Sequence, residues 1–388
     1  MNTKSTFTSV EICAGAGGQA VGLHGAGFRH LALIEIDTYA CNTLSLNVDS
    51  RPDWAGCKVI PADLLKFDPA DLALEAGTLD LLAGGVPCPP FSAAGKQLGQ
   101  DDERDLFPTM LDLVDYLKPK AVMIENVRGL LEPPQKFRDY RENVIKQRLR
   151  EAGYVICGWK VIEARDYGVP QLRPRAILVA MRHEYAGYFA WPDPSESPLV
   201  TVAEALGPSM RKRFGSSPEG KAAYKHWQKL AAQGVAPTLV GGSKKHGGAD
   251  LGPTRAKRAW EKLGVDGLGV ANESVDMTDA GRDLYGTRGP KLTVSQAAII
   301  QGFPSDWKFS GRKTAAYRQV GNAFPPPVAE AVGKQIISAL EAGAKNPLSE
   351  DQYEGDAPDV LFEIPGQSDA LSAPVVDRVR DTESAFVG

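Results

Sequence analysis

The sequence of 388 residues is poor in cysteine and contains no long apolar run. Its five cysteines are an odd set without a C-x-x-C spacing, which argues against a disulfide framework and against a zinc cluster. No stretch of about 18 apolar residues occurs, and residues 1–10 lack the basic start and apolar stretch of a secretory signal. We therefore predict a soluble, cytoplasmic protein that spans no membrane and needs no metal.

The chain also lacks the net positive charge of many nucleic-acid-binding proteins, since its formal net charge is -4. That net charge is a sum in which a basic segment and an acidic segment largely cancel. Lysine and arginine outnumber aspartate and glutamate by 15 to 8 between Ser209 and Lys291, whereas residues 346–388 hold 2 arginines and 10 acids. Because local charge determines phosphate affinity, the basic segment stays a candidate nucleic-acid surface.

Residues 7–182 alternate short runs rich in Val, Ile and Leu with longer amphipathic stretches, the pattern of βαβ units. This pattern predicts an α/β protein with a doubly wound, mostly parallel sheet, whose ligands bind beyond the carboxyl ends of the strands. The predicted strands are 9–13, 31–36, 80–83, 120–125, 154–163 and 175–181. The predicted helices are 18–27, 38–47, 106–117 and 137–152.

The composition changes after Trp191, where several prolines are followed by sequence rich in glycine, lysine and arginine. Few long periodic segments are evident there, so we predict a smaller, loop-rich domain at 184–290 after a first domain at 1–183. Residues 291–344, with a predicted helix at 327–340, should return to complete the first domain. The acidic residues 345–388 form a tail that we expect to be disordered.

The segment VEICAGAGG, residues 10–18, is an apolar strand that leads into glycines and then a helix. Such a turn lets the backbone approach a nucleotide-like ligand, although any α/β protein could use it as a tight turn. Glu35 ends the second predicted strand, where a carboxylate can accept ribose hydroxyls. Asp63 lies near the end of a third strand, where it can accept from an adenine amino group. Together these residues favour an adenosine-containing ligand.

Two further segments place reactive groups at strand ends. Cys88 lies in GGVPCPPFSAAGKQ, a stretch too rich in proline and glycine for a helix interior, and is placed like a nucleophile, although a lone loop cysteine is common. Glu125 in IENVRGL follows an apolar strand, where burial would favour its protonated form. The alternative for Glu125 is a helix-capping or ion-paired glutamate.

The run VPQLRPRAILVA, residues 169–180, carries Arg173 and Arg175 immediately before a strong strand. Alternation in an extended chain puts both arginines on one side, where two guanidiniums could hold a carbonyl oxygen, a carboxylate or a phosphate. The alternative is a solvated edge strand.

In this order, and with QGFP at 301–304 and GNAFPPPVAEAV at 321–332, these segments closely resemble the C5 cytosine-specific DNA methyltransferase family of bacterial restriction-modification systems. The resemblance covers about residues 7–340. It implies the Rossmann-like fold of S-adenosylmethionine-dependent methyltransferases, with residues 184–290 as a target-recognition domain. The implied reaction moves a methyl group from S-adenosylmethionine to C5 of a cytosine flipped out of a specific duplex DNA sequence. The resemblance further implies a monomer at the bacterial nucleoid, with a cognate restriction endonuclease as a possible partner.

The resemblance also implies roles for individual residues. Cys88 would attack cytosine C6, Glu125 would hold and protonate N3, and Arg175 would bind O2, with support from Asn126 and Arg173. The implied cofactor-binding residues are Cys13, Ala14, Gly15, Ala16, Gly17, Gly18, Glu35, Ile36, Asp63, Leu64, Pro87, Leu106, Asn322 and Phe324. The implied DNA-binding residues are Ser92, Gln97, Arg104, Gln171, Thr238, Gly241, Gly242, Lys244, Lys245 and Arg255, and the further basic candidates are His246, Lys257 and Arg258.

Two departures from the family pattern concern the first glycine-rich segment, where Cys13 stands in place of phenylalanine and Glu11 in place of aspartate. Three other functions remain open at this point. A transfer-RNA cytosine-5 methyltransferase would share the fold and nucleophile, and a catalytically silent DNA-binding protein would not need Cys88, Glu125 and Arg175. A nicotinamide-dependent oxidoreductase would share the glycine-rich turn alone.

Overall fold

A computed structural model describes residues 7–86, 105–195, 198–241 and 249–349 of the chain. It contains a seven-stranded sheet with the order β3-β2-β1-β4-β5-β7-β6. Strand β7 is antiparallel to both of its neighbours, and every other pairing in the sheet is parallel. The strands are β1 (Thr8–Ile12), β2 (Arg29–Glu35), β3 (Lys58–Pro61), β4 (Leu81–Gly84), β5 (Ala121–Val127), β6 (Tyr154–Glu163) and β7 (Pro174–Arg182). The predicted mostly parallel sheet is confirmed.

The helices lie on both sides of this sheet and in the segment after it. They are α1 (Gly18–Ala26), α2 (Thr38–Val48), α3 (Phe107–Leu117), α4 (Arg138–Tyr140), α5 (Gln147–Glu151), α6 (His183–Ala186), α7 (Val202–Phe214), α8 (Pro218–Ala231), α9 (Thr254–Lys262), α10 (Ala280–Asp283), α11 (Val294–Gln301), α12 (Lys313–Asn322) and α13 (Pro326–Lys345). A π-helical segment, Arg141–Lys146, separates α4 from α5, so the predicted helix at 137–152 is not a uniform α-helix.

The central strands are apolar because helices cover both faces of the sheet. On one face, Val10 and Ile124 belong to a core that includes Phe107 and Met110 of α3. On the other face, the strand residues pack with α1 and with α13. This arrangement leaves the carboxyl ends of the parallel strands as the open edge at which a ligand site can form.

The segment after β7 contains more helix than we predicted. Helix α7 has 13 residues and α8 has 14, and each begins at a capping side chain, Thr201 and Ser217. Trp227 of α8 and Trp260 of α9 are fully buried and give the segment a core. The glycines and prolines that indicated a loop-rich domain therefore occur between regular helices.

The core of this segment continues into α11 and α12 and reaches α2, because Tyr317 and Leu44 belong to the same hydrophobic cluster as Trp227. Helix α13 instead packs against α1 on the sheet. Residues after 290 thus join both parts of the protein, and the domain boundaries at 183 and 290 stay a prediction. Within the described residues, no helix is long and apolar enough to cross a membrane.

Replacing Gly22 by alanine tests the packing of α1 on α13. An added Cβ would lie 2.2 Å from the Pro326 carbonyl oxygen and 2.8 Å from the Glu330 nitrogen, and neither backbone atom can move freely. We expect Gly22→Ala to lower the free energy of unfolding by about 1–3 kcal/mol in urea denaturation. The matched control is Gly25→Ala, whose Cβ meets the Glu330 side chain at 3.2 Å. That variant should gain about 1 kcal/mol of helix propensity, and equal effects would contradict the prediction.

Candidate active site

A cavity of about 790 Å³ lies at the carboxyl ends of β1, β2, β4 and β5. Glu125, Arg173 and Arg175 line it together with Thr238 and Gly241. These two lie in residues 184–290, which we call the recognition segment because target recognition is expected there. The expected cofactor-binding residues in its wall are Cys13, Ala14, Gly15, Ala16, Gly18, Glu35, Ile36, Asp63, Leu64, Leu106, Asn322 and Phe324. The structure therefore brings the adenosine-type candidates and the arginine–glutamate candidates into one space.

The expected nucleophile lies outside the described residues, but the backbone that leads to it is placed. Gly85 lines the cavity directly after β4, and the Asn126 side chain donates a hydrogen bond to the Val86 carbonyl oxygen at 3.0 Å. Asn126 thus fixes the end of β4, which supports its predicted supporting position. The other expected site residues outside the described residues are Pro87, Ser92, Gln97, Arg104, Gly242, Lys244, Lys245 and His246.

Glu35 fixes the glycine-rich turn after β1. One carboxylate oxygen accepts a hydrogen bond from the Gly15 nitrogen at 2.7 Å, and the other accepts from the nitrogens of Ile36 and Asp37 at 2.9 and 2.8 Å. Gly15 has a φ of 54°, a conformation that favours glycine. The oxygen that accepts from Gly15 keeps one lone pair for a ligand hydroxyl, so Glu35 can shape the turn and bind at the same time.

Gly17 serves packing, in contrast to its neighbours in the cavity wall. An added Cβ on Gly17 would lie 2.8 Å from the Trp307 ring, and the Trp307 indole N–H donates to the Ala16 carbonyl oxygen at 3.0 Å. Trp307, in the segment after α11, therefore supports the turn from behind. The sequence alone gave no reason to connect these two distant segments.

Glu11 and Gln19 contribute buried polar atoms to the cavity wall. They are 1% and 4% exposed. Among the residues that the structure describes, Glu11 Oε2 and both amide atoms of Gln19 have no hydrogen-bond partner. Burial, followed by the nearby Glu35 carboxylate, raises the pKa of Glu11 well above its usual range. A carboxyl with a raised pKa and an unpaired amide thus line the cavity and are available to a polar ligand.

Glu125 and Arg175 form an ion pair across two neighbouring strands, with Arg175 Nε 2.8 Å from Glu125 Oε1. The antiparallel register of β5 and β7 brings them together, since Val127 pairs with Arg175. Burial raises the pKa of Glu125, and the positive charge of Arg175 opposes that shift. Glu125 thus shows features of both interpretations: its pKa is raised by burial, and it is paired with an arginine.

Arg173 holds three segments together. Its guanidinium donates to the carbonyl oxygens of Leu239 at 2.6 Å, Gly321 at 2.8 Å and Ala323 at 2.9 Å. The alternative of a solvated edge strand is wrong, because β7 lies between β5 and β6 and Arg173 is 1% exposed. Arg173 therefore supports the site through backbone contacts.

Gln171 is not at a DNA-facing surface, contrary to our expectation. It is fully buried, and its side-chain oxygen accepts from the Leu239 nitrogen at 2.7 Å. Its amide group donates to Gln301 Oε1 at 2.8 Å, and the Gln301 amide donates in turn to the Ala323 carbonyl oxygen. A buried amide with these partners would lose them by turning to DNA, so its role is to join the recognition segment to the sheet.

Helix α12 contributes residues that the sequence analysis missed. The missed residues Ala315 and Arg318 line the cavity together with the expected Asn322, at spacings of three and four that place them on one helical face. Gln319 also lines it and accepts a hydrogen bond from Thr43 Oγ1 at 2.6 Å. The helical period counted back from Asn322 could have identified Arg318.

The basic candidates in the recognition segment differ in their availability. Lys257 Nζ is 2.7 Å from Asp250 Oδ2, so its charge is already paired. Arg255 and Arg258 are exposed on α9 and form no ion pair with any described residue. Thr238 lines the cavity and donates to the Leu172 carbonyl oxygen at 2.5 Å. Arg255 and Arg258 are thus better placed than Lys257 to meet a phosphate.

Three of the other cysteines are poor nucleophiles. Burial raises the pKa of Cys13 and of Cys57 to about 12, and that of Cys41 to about 11. None of these three thiols provides a thiolate near pH 7, which is the attacking form.

The chain is similar to known proteins over most of its length. The model of the C-5 cytosine-specific DNA methylase family matches residues 7–338. The Type II methyltransferase M.NaeI of Lentzea aerocolonigenes is 51% identical over 333 residues, 85% of this chain and 75% of that protein. The Type II methyltransferase M.NgoMIV of Neisseria gonorrhoeae is 49% identical over 338 residues, 86% of this chain and 98% of that protein. A methyltransferase structure from Entamoeba histolytica shares the fold, with a TM-score of 0.58, 16% identity and coverage of 87% and 99%.

The neutral Glu11 carboxyl predicts an unusual pH dependence of stability. Its pKa is raised on folding, so above an unfolded value of about 4.3 the folded state keeps a proton that the unfolded state loses. Stability then falls as pH rises, by up to about 1.4 kcal/mol for each pH unit until the folded pKa is reached. We expect Glu11→Gln to raise the melting temperature of the ligand-free protein at pH 8 more than at pH 5.

The exposed Glu75 supplies the control, because Glu75→Gln removes a solvated charge. Calorimetry of both variants between pH 5 and pH 8 makes the comparison. A melting-temperature difference that does not change with pH would mean that Glu11 is ionised in the folded protein.

Proposed function

Because the chain belongs to the C-5 cytosine-specific DNA methylase family, we propose that the cavity is where a flipped cytosine meets the methyl donor. The protein is a DNA (cytosine-5-)-methyltransferase, and S-adenosylmethionine is its methyl donor. The observation that carries the proposal is the Glu125–Arg175 pair in the same cavity as the Gly15 turn, beside the strand end that leads to Cys88.

The residues of the cavity wall fit the donor. Glu35 Oε2 retains acceptor capacity for a ribose hydroxyl, and Asp63 can accept from the adenine amino group. The unpaired polar atoms of Glu11 and Gln19 offer further partners to a ligand with a polar end. Ile36, 67% exposed at this wall, offers apolar surface that an adenine ring would cover. When bound, the donor supplies an electrophilic methyl group on a sulfonium.

The chemistry needs a nucleophile because cytosine C5 is too weak to attack a methyl group unaided. The Cys88 thiolate adds to C6, and Glu125 donates a proton to N3 as the ring electrons move. The new enamine carbon C5 would then take the methyl group from the sulfonium, which leaves a neutral thioether. Loss of the C5 proton, expulsion of the Cys88 thiolate and return of the N3 proton to Glu125 restore the ring. Burial raises the pKa of Glu125, which favours the protonated form that the addition step needs.

Arg175 holds the O2 atom of the cytosine in this proposal. Its guanidinium is paired with Glu125, and a cytosine whose O2 and N3 edge faces this pair would receive hydrogen bonds from both side chains. These atoms are out of reach inside a stacked duplex, so the cytosine must be flipped into the cavity. Asn126 and Arg173 act by positioning the backbone around it.

Methyl transfer from labelled S-adenosylmethionine to mixed-sequence duplex DNA tests the proposal. We expect Cys88→Ser to lower the rate by at least about a thousandfold, since a hydroxyl is far less nucleophilic than a thiolate. Bisulfite sequencing should show protected cytosines in one short sequence with the unaltered protein.

Cys57→Ser is the matched control, because that thiol lies outside the cavity wall and should leave the rate nearly unchanged. Transfer-RNA is the second substrate. Methylation of RNA in place of DNA, or full activity of Cys88→Ser, would overturn the assignment.

We further propose that the protein modifies the same duplex sequence as M.NgoMIV, as a monomer and as one half of a restriction-modification system. Support comes from the 49% identity, which extends over 86% of this chain and therefore includes most of the recognition segment. Bisulfite maps of one plasmid treated with each enzyme would agree. A dimer in light scattering would contradict the proposed monomer. A host extract that cleaves methylated and unmethylated plasmid alike would contradict the proposed restriction-modification system.

The exposed arginines of α9 should contribute to DNA affinity through phosphates. Each phosphate contact that is lost lowers the slope of log affinity against log salt by about 1. We expect Arg255→Gln and Arg258→Gln each to weaken binding to all DNA sequences and to reduce this slope in fluorescence anisotropy. Lys257→Gln is the control, because Asp250 already neutralises that charge. An equal slope of log affinity against log salt in all three variants would mean that α9 does not contact the DNA phosphates.

A further inference from the structure

Arg318 is the cation in the cavity wall that has no assigned role. It lies on α12, one helical turn before Asn322, and both residues line the cavity. The neighbouring face of the helix is occupied, since Gln319 bonds to Thr43 and to the Ser310 carbonyl oxygen. Arg318 therefore faces the space in which we place the ligands.

The guanidinium of Arg318 has no partner in the described parts of the chain. No hydrogen bond or ion pair reaches it there, and its Nε is buried. The other two arginines of the cavity are engaged, Arg175 with Glu125 and Arg173 with three carbonyl oxygens. Arg318 is thus the described arginine of this wall that is free to bind an anion.

A partly buried guanidinium without a partner is unfavourable, and the geometry of its fork suits an oxyanion. The reaction brings two kinds of oxyanion to the cavity: the carboxylate at the amino-acid end of the donor, and the phosphates of DNA. The adenosine end is assigned to Glu35 and Asp63, so the amino-acid end must extend along the glycine-rich turn.

The end of α12 lies against that turn. A Cβ on Gly18 would be 2.2 Å from the Phe324 carbonyl oxygen, two residues after Asn322. Gly241 approaches the same helix end, since its Cβ would be 2.1 Å from Asn322 Oδ1. The helix face that carries Arg318 and Asn322 therefore borders the space beside the turn, which favours the donor carboxylate over a phosphate.

We propose that Arg318 binds the carboxylate of the amino-acid end of the methyl donor. This rests on the proposed function of the cavity. A charge-assisted hydrogen bond at that end fixes the chain that carries the sulfonium, and so sets where the methyl group lies relative to cytosine C5.

A pair of ligands that differ in the amino-acid end gives a direct test. Calorimetry measures the dissociation constants of S-adenosylhomocysteine, which has the carboxylate, and of 5′-methylthioadenosine, which lacks the whole amino-acid end. We expect Arg318→Gln to weaken the first by about ten- to a hundredfold, the range of a charged hydrogen bond, and the second by less than about twofold. With Arg318→Lys, the dissociation constant of S-adenosylhomocysteine should lie between those of the unaltered protein and of Arg318→Gln. Lysine keeps the positive charge but lacks the forked guanidinium.

Arg312→Gln is the matched control, since Arg312 is exposed at the start of the same helix and does not line the cavity. It should change neither constant. Circular dichroism confirms that each variant is folded.

Two results would overturn the proposal. An equal loss for both ligands would mean that Arg318 shapes the pocket, and unchanged constants with weaker, less salt-dependent DNA binding would mean that it holds a phosphate. If the unaltered protein bound neither ligand, the donor site itself would be misassigned, which is a separate failure from that of Arg318.

Discussion

The site depends on one buried cation, the guanidinium of Arg173. It donates to carbonyl oxygens of Leu239, Gly321 and Ala323, so a residue at the start of β7 bonds to the recognition segment and to the helix ends beside the donor site. Burial is unfavourable to the charge, and three carbonyl dipoles offset that cost. Gln171 and Gln301 extend the same network. The cavity has a defined wall because these bonds hold three distant segments together.

Three carboxyl groups of one cavity occupy different electrostatic states, and the surroundings of each explain the difference. Glu35 accepts three backbone N–H groups, which stabilise its charge. Glu125 lies against Arg175, whose charge limits the effect of burial on its pKa. Glu11 has neither aid, and burial favours its neutral form. Three carboxyl groups with different hydrogen-bond partners and neighbouring charges therefore lie within one small space.

The sequence predicted the sheet, and it pointed to Glu35 and Glu125, which line the cavity, because these features depend on local order. Alternating apolar runs mark the strands, and Glu35 and Glu125 follow from their places at strand ends. It could not predict contacts between distant segments, such as Trp307 with Ala16 or Arg173 with Leu239, since no local pattern encodes them. Gln171 was misassigned for this reason: its motif was recognised, but the burial that makes it structural depends on α11 and the recognition segment.

Residues 238–241 belong to the recognition segment and also form part of the cavity wall. Gly241 and Gly321 are in backbone contact, so no side chain lies between the recognition segment and the end of α12 at this point. A ligand in the cavity and a ligand on the recognition segment would both restrict the motion of these residues. By thermodynamic linkage, each ligand then changes the affinity for the other by the same factor. Under the proposed function, release of the spent donor and release of the DNA are therefore coupled through these four residues.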